Sequence, residues 1–294
     1  MAPELQWDER PEDLRSPILL FAFSGWNDAG EAASGALAAI AEELEAEYVA
    51  SIDPEGFYDF QVSRPTIDLA GEAGSDLQWP EVKLAIARPE GGGRDLVLLA
   101  GSEPSYRWRS FSELIVGAAR DLDVELMIGF GALLADVAHT REVRLTGIAR
   151  PRTLVDGLGY REPSYRGPTG IVGVLHAAAG AAGIDAASLW APVPHYLSGA
   201  PNPKGALALV RALQNVGGLT IPSTRLEEAV TRYEREVSAA VERDPEAEAM
   251  VQQLEQAADD ADLEFDSGSI PSGDALADEI QGFLRQQESD GPDA

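Results

Sequence analysis

The sequence has no cysteine among its 294 residues. Disulfides, thiolate metal ligands and a cysteine nucleophile are excluded together, and a reducing cytoplasm fits better than secretion. Basic residues are scarce: 22 Lys and Arg stand against 50 Asp and Glu, a formal charge of −28. A field of that sign opposes phosphate backbones and anionic lipid, so neither nucleic acid nor a membrane is an expected partner. Long apolar runs are missing as well, none reaching the ~18 residues of a membrane span. The start MAPELQWDERPEDLR lacks the basic-then-apolar order of an export signal. Three histidines without cysteine make a dedicated metal site unexpected, and nothing in the chain calls for a cofactor. G-x-G-x-x-G, Gly-Lys-Ser/Thr, G-x-S-x-G and H-E-x-x-H are all absent. Dinucleotide, P-loop, hydrolase-elbow and zinc-protease chemistry therefore have no signature here.

What is present is ample apolar content, 45%, enough to bury a full core. Up to about Leu219, short β-rich runs alternate with Ala- and Leu-rich helical stretches, the pattern of a sheet covered on both faces. Strands are expected at 18–23, 82–87, 96–100, 125–130, 143–148 and 187–191. Helices are expected at 29–46, 110–121, 169–182 and 203–215, the last capped by Asn202 with Pro203 at its first position. This half, residues 1–221, reads as one α/β sandwich domain.

After Pro222 the composition changes. Residues 221–294 hold 20 acidic and 5 basic side chains, a net of −15. Thr224-Arg-Leu-Glu227 has the form of a capping box, and Leu226, Val230, Tyr233, Val237 and Val241 recur at helical spacing. Asp244-Pro245 breaks that helix, and Ala247, Met250, Val251 and Leu254 mark a second, giving a helical hairpin. DSGSIPSGD reads as a linker into a last helix at 273–287, capped by Ser272, with Leu276, Ile280, Phe283 and Leu284 on one face. The final ESDGPDA is expected to be disordered. Residues 222–294 thus read as an acidic helical extension.

Several loops qualify as sites because they follow strands, and crevices in open α/β sheets form beyond the carboxyl ends of strands. FSGWNDAG carries Trp26, Asn27 and Asp28. Either Asn27 and Asp28 cap the helix starting near Ala29 while Trp26 packs on the sheet end, or the loop holds a ligand. GSEPSYRWRS carries Tyr106, Arg107 and Trp108, types favoured in protein contacts and able to stack on a nucleobase. The plain alternative is a solvated loop capped by Ser110. ADVAHTREV brings Asp136, His139 and Arg141 together, and an Asp three residues from a His could orient a general base. His195 and Tyr196 in WAPVPHY follow another strand and could line the same crevice. His176, within the apolar helix IVGVLHAAAG, reads as a core histidine. Asp136, His139 and His195 are therefore the catalytic candidates, and Trp26, Asn27, Asp28, Tyr106, Arg107, Trp108, Arg141 and Tyr196 the ligand- or partner-binding ones.

GWNDAG, DVAHTR, GPTGIVGVL and WAPVPHY, with the late IPSGDALADEIQGFLR, occur in an order that no composition bias produces. Together they make the chain resemble the bacterial branch of the proteasome assembly chaperone 2 family, over nearly its whole length. The resemblance implies a three-layer α/β/α sandwich, related to phosphorylase and hydrolase folds, with a helical extension. It also implies a non-enzymatic assembly chaperone that self-associates, a trimer before a dimer, with proteasome subunits as partners. The alternative is an enzyme acting on a nucleoside- or nucleotide-like ligand in the strand-end crevice. Family chaperones can dock through a hydrophobic-tyrosine-any residue tail; the chain reads Gly-Pro-Asp-Ala there, so another contact surface is expected, or the extension only covers the sheet.

Overall fold

The fold grows from its central strand. In ILLFAF both faces are apolar, the mark of a strand buried on both sides. A computed structural model, described over residues 4–68, 76–90, 93–156, 158, 160 and 165–266, places this run as strand β2 (Ile18–Ser24), following a short β1 (Leu5–Trp7). Ile18, Leu20 and Ala22 enter one core, and Leu19, Phe21 and Phe23 enter the other. The chain continues through α1 (Ala32–Glu43), β3 (Glu47–Ile52), β4 (Thr66–Asp68), β5 (Asp76–Gln78), β6 (Val82–Ala87) and β7 (Leu96–Ser102). Then follow α2 (Trp108–Asp121), β8 (Leu126–Ala135), β9 (Thr146–Arg150), α3 (Ile171–Ala181), β10 (Asp185–Pro194) and α4 (Pro203–Gly217). Two further helices, α5 (Thr224–Val241) and α6 (Pro245–Asp266), complete the described chain.

Eight strands form one sheet in the order β1-β3-β6-β7-β2-β8-β10-β9, and β4 pairs with β5 in a separate hairpin. The four central strands, β7, β2, β8 and β10, are parallel, while β1, β3, β6 and β9 add antiparallel flanks. α1 and α4 cover one face through Ala36, Leu37, Ile40, Leu209 and Leu213. α2 and α3 cover the other through Phe111, Ile115, Ile171, Val172 and Leu175. This is the expected α/β/α layering with C-terminal helices.

Four differences from the sequence expectations have local causes. β1, β3, β4 and β5 were not expected. The first helix starts at Ala32 rather than Ala29, because Gly30 (φ 56°) and Glu31 (φ 50°) turn the chain the wrong way for a right-handed helix. β9 runs 146–150 rather than 143–148. It pairs antiparallel with β10 up to Thr146 opposite Trp190, and two residues further on Pro192 has no N–H to continue the ladder. The N-cap position of α5 is Ser223, not Thr224, and its side chain caps no backbone N–H: the hydroxyl donates instead to the Glu227 carboxylate, Oε1, at 3.0 Å.

Other signals held. Asn202 Oδ1 accepts from Gly205 N at 2.8 Å and caps α4 as expected; the helix runs two residues past its expected end, to Gly217, where Gly218 at φ 65° takes the left-handed conformation that glycine adopts without strain. On α5, Tyr233 is buried and Leu226, Val230, Val237 and Val241 are half-buried, so the expected apolar stripe is the inner face. The linker, the last helix and the chain end lie outside the described residues.

Candidate functional site

The carboxyl ends of the four parallel strands lie along one edge of the sheet, and each is followed by a loop singled out in the sequence. Around β2 and β7 the turn at 25–28 does not leave the sheet. Asn27 O accepts from Ala132 N at 2.7 Å and Asp28 bridges to Ala132, extending the pairing with β8. Asn27 and Asp28 are thereby buried, and Trp26 is turned out, 60% exposed. The expectation that Trp26 packs on the sheet end is corrected on that ground.

Asp28 caps, one turn later than expected: its carboxylate accepts from Ala33 N (2.8 Å), Ser34 N (3.1 Å) and Ser34 Oγ (2.5 Å). Asn27 does not cap. Its Nδ2 donates to Glu103 Oε1 (2.9 Å), which also accepts from Ile171 N (2.8 Å) at the start of α3. A carboxylate at a helix N-terminus is favourable, and Gly170 has no side chain to obstruct Asn27 there. Glu103 thus ties β7, the β2 turn and α3 into one joint.

Tyr106, Arg107 and Trp108 turn to the β3 side instead. Tyr106 OH donates to Asp59 at 2.8 Å, Arg107 pairs with Glu4 at 2.8 Å and lies over the Phe57 ring, and Trp108 Nε1 donates to Pro104 O. Ser110 is not a cap, because α2 already begins at Trp108.

Beyond β8 and β10 the structure brings Asp136, His139, Arg141, His195 and Tyr196 into one cluster, but not with the expected partners. The Asp136-to-His139 spacing does not lie on a helix. Asp136 instead meets His195, Oδ1 to Nδ1 at 3.1 Å, on the exposed rim. His139, 3% exposed, has both ring nitrogens engaged: Nδ1 with Tyr196 OH at 2.8 Å and Nε2 with Ser238 Oγ of α5 at 3.1 Å. Tyr196 OH already accepts from His139 N at 2.9 Å, so its proton points to Nδ1. Nε2 then carries the ring proton and donates to Ser238. That polarity is the reverse of an activated serine, whose hydroxyl must give its proton to histidine. Burial, with Lys204 nearby, lowers the His139 pKa from its usual range, partly offset by Glu255 and Glu234.

The rest of the cluster fastens α5 and α6. Lys204 Nζ donates to His139 O at 2.7 Å and pairs with Glu234 at 2.5 Å. Asn202 Nδ2 donates to Tyr233 OH at 3.3 Å, and burial pushes the Tyr233 phenol up to about 12. Arg141 forks onto Asp259 at 2.7 and 2.8 Å and reaches Glu255, which also accepts from Thr140. The cavity left beside His139 has a volume of about 20 Å³, room for one water and no more.

Lys204, Glu234, Ser238, Glu255 and Asp259 were missed as members of this cluster. The acidic i,i+4 pair Glu255 and Asp259 on α6 was the available signal, matching one arginine with two carboxylates on a single helix face. Among the described residues no group of three His, Asp or Glu side chains is placed to hold a metal ion. No described helix is long and apolar enough to cross a membrane.

The model of the PAC2 family matches residues 22–241, which include α5. Among solved structures, a proteasome-assembly chaperone homologue from Mycobacterium tuberculosis is similar at 40% identity and a TM-score of 0.74, over 80% of this chain and 99% of that one. A PAC2 family protein from Streptomyces avermitilis is similar at 43% identity and a TM-score of 0.74, over 80% and 99% of the two chains. A Mycobacterium tuberculosis protein of unknown function is similar at 26% identity and a TM-score of 0.82, over 91% and 92%. Among curated proteins, none matches.

Proposed function

This chain belongs to the PAC2 family, and on that premise we propose that it is a non-enzymatic protein-binding factor that acts in proteasome assembly. One observation carries the reading: His139, the buried histidine at the strand ends, is engaged in holding α5. His139 is buried between Tyr196 and Ser238 with about 20 Å³ beside it, and Asp136 and His195 pair with each other on the exposed rim. The relative at 40% identity is described as a proteasome-assembly chaperone homologue, which names the partner class.

A protein of this kind works through surfaces. The β4–β5 hairpin stands apart from the main sheet, with Val62, Ile67, Leu77 and Trp79 exposed on or beside it. Isolated two-stranded sheets are marginal, so this hairpin suits a contact between copies. A closed homotrimer is the assembly we assign. The test is co-purification of the full chain with separately produced proteasome α and β subunits. A defined complex, kept on substituting His195→Ala, supports the reading. Turnover of a nucleoside-like substrate that is lost on the same substitution would overturn it.

A further inference from the structure

Past Ala132, strand β8 loses its neighbour on one side: β2 pairs only as far as Gly129, and the Asp28 bridge ends at Ala132. Leu133 and Leu134 run on beside β10 alone and are 44% and 51% exposed. They open onto a groove of about 500 Å³, whose floor includes Trp190 and Pro192 and whose far wall is Ala257 and Ala258 of α6. That volume lies in the range of sites that hold a ligand or several side chains. An apolar groove of this size in a strongly charged protein calls for an occupant.

We propose that the occupant is the chain's own residues 273–287, folded back so that Leu276, Ile280, Phe283 and Leu284 enter the groove. Three observations select this segment. The first is where it departs: the wall of the groove is α6, and the chain leaves α6 at Asp266 with 28 residues still to run. From Ala258 to Asp266 the helix advances about 12 Å. The nine residues 267–275 reach about 30 Å when extended, more than the return requires.

The second observation is pattern. The apolar positions 276, 280, 283 and 284 recur at the spacing of one helical face, a stretch that would be about 12 Å long as a helix. The third is charge. Residues 267–294 hold six carboxylates and one arginine, while Arg141 and Arg144 line the groove against Asp136 and Glu142, leaving it uncharged overall in a chain of net −28. The same pairing of signs already fastens α6, through Arg141 with Asp259 and Glu255. The segment therefore continues the strap begun by α5 and α6, and it shields the open end of β8 from other chains.

The absence of native cysteine gives a clean test on the full chain. Leu134→Cys with Phe283→Cys is oxidised and run without reductant, beside Leu133→Cys with Leu284→Cys as a second pair. Tyr48→Cys with Phe283→Cys serves as a control, since exposed Tyr48 lies on β3, four strands from β8 in the sheet. Thermal melts of each reduced variant check that the fold is kept; the two leucines replaced on β8 are exposed. The expected result is a disulfide within one chain for at least one of the two test pairs, forming roughly tenfold or more faster than in the control because of its higher effective concentration. Rates equal to the control for both pairs, or bridges only between chains, would overturn the proposal, the latter making a second copy the occupant.

Discussion

Asp28 illustrates how much one side chain holds at the strand ends. Its carboxylate takes three donors from Ala33 and Ser34 and is itself buried, so Asp28→Ala should cost about 0.5–2 kcal/mol. A lower denaturation midpoint with partner binding unchanged is the expected outcome. Lost binding at full stability would instead make FSGWNDAG a recognition loop. His139 gives a prediction in pH. Burial holds its folded-state pKa below the unfolded value of about 6.5, so the unfolded chain takes up the proton first. Stability is therefore full above that value and declines as pH falls below it towards the lowered folded pKa. His139→Gln should flatten the decline between neutral and mildly acidic pH in chemical denaturation; His176, also held low chiefly by burial, accounts for part of what is left. An unchanged slope would show that His139 titrates freely.

The helices and strands differ in how far they could be read beforehand. The central strands were legible because β2, β7 and β8 are unbroken apolar runs, and the start of α4 because it carries Asn202-Pro203; its end was read two residues short, at 215 instead of Gly217. β3 was not legible because the turn out of α1 is made by Glu45 at φ 50°, with no glycine or proline to mark it. Glu31 and Arg107, at φ 50° and 56°, hide the starts of α1 and α2 in the same way. The loops of the candidate site were visible, each standing after a strand, but their pairing was not. His139 finds Ser238 across 99 positions, whereas Asp136, three residues away, turns to His195. Local spacing reports a shared face only inside a helix, and this segment is a loop. The hairpin α5–α6 follows as the element most open to test. Ending the chain at 221 should uncover the face under Leu226, Val230 and Tyr233 and so lower solubility or change the assembly size. A soluble product of unchanged size would count against the packing role. Arg141→Ala should loosen α6 while lowering global stability by no more than about 1 kcal/mol, since its pairs are partly exposed. Faster amide exchange confined to α6 is the sign to look for.

The whole molecule combines two properties that pull against each other. A net charge of −28 keeps copies apart in solution, while Val62, Ile67, Leu77 and Trp79 stand exposed around a hairpin that the main sheet does not support. Self-association through that hairpin should strengthen with added salt, which screens the repulsion within a Debye length of about 8–10 Å. Light scattering at several salt and protein concentrations should give a trimer that persists on dilution further in high salt than in low; a monomer throughout would remove the hairpin's assigned role. The central claim is that this PAC2 family member binds proteasome subunits and performs no chemistry at its strand ends. Native mass spectrometry of the full chain mixed with purified proteasome α and β subunits tests it most directly, carried out in parallel with the His195→Ala and Asp136→Ala variants. The account predicts one stoichiometric complex with a subunit or a partly assembled ring, the same for all three proteins. Absence of any complex with either subunit would contradict it.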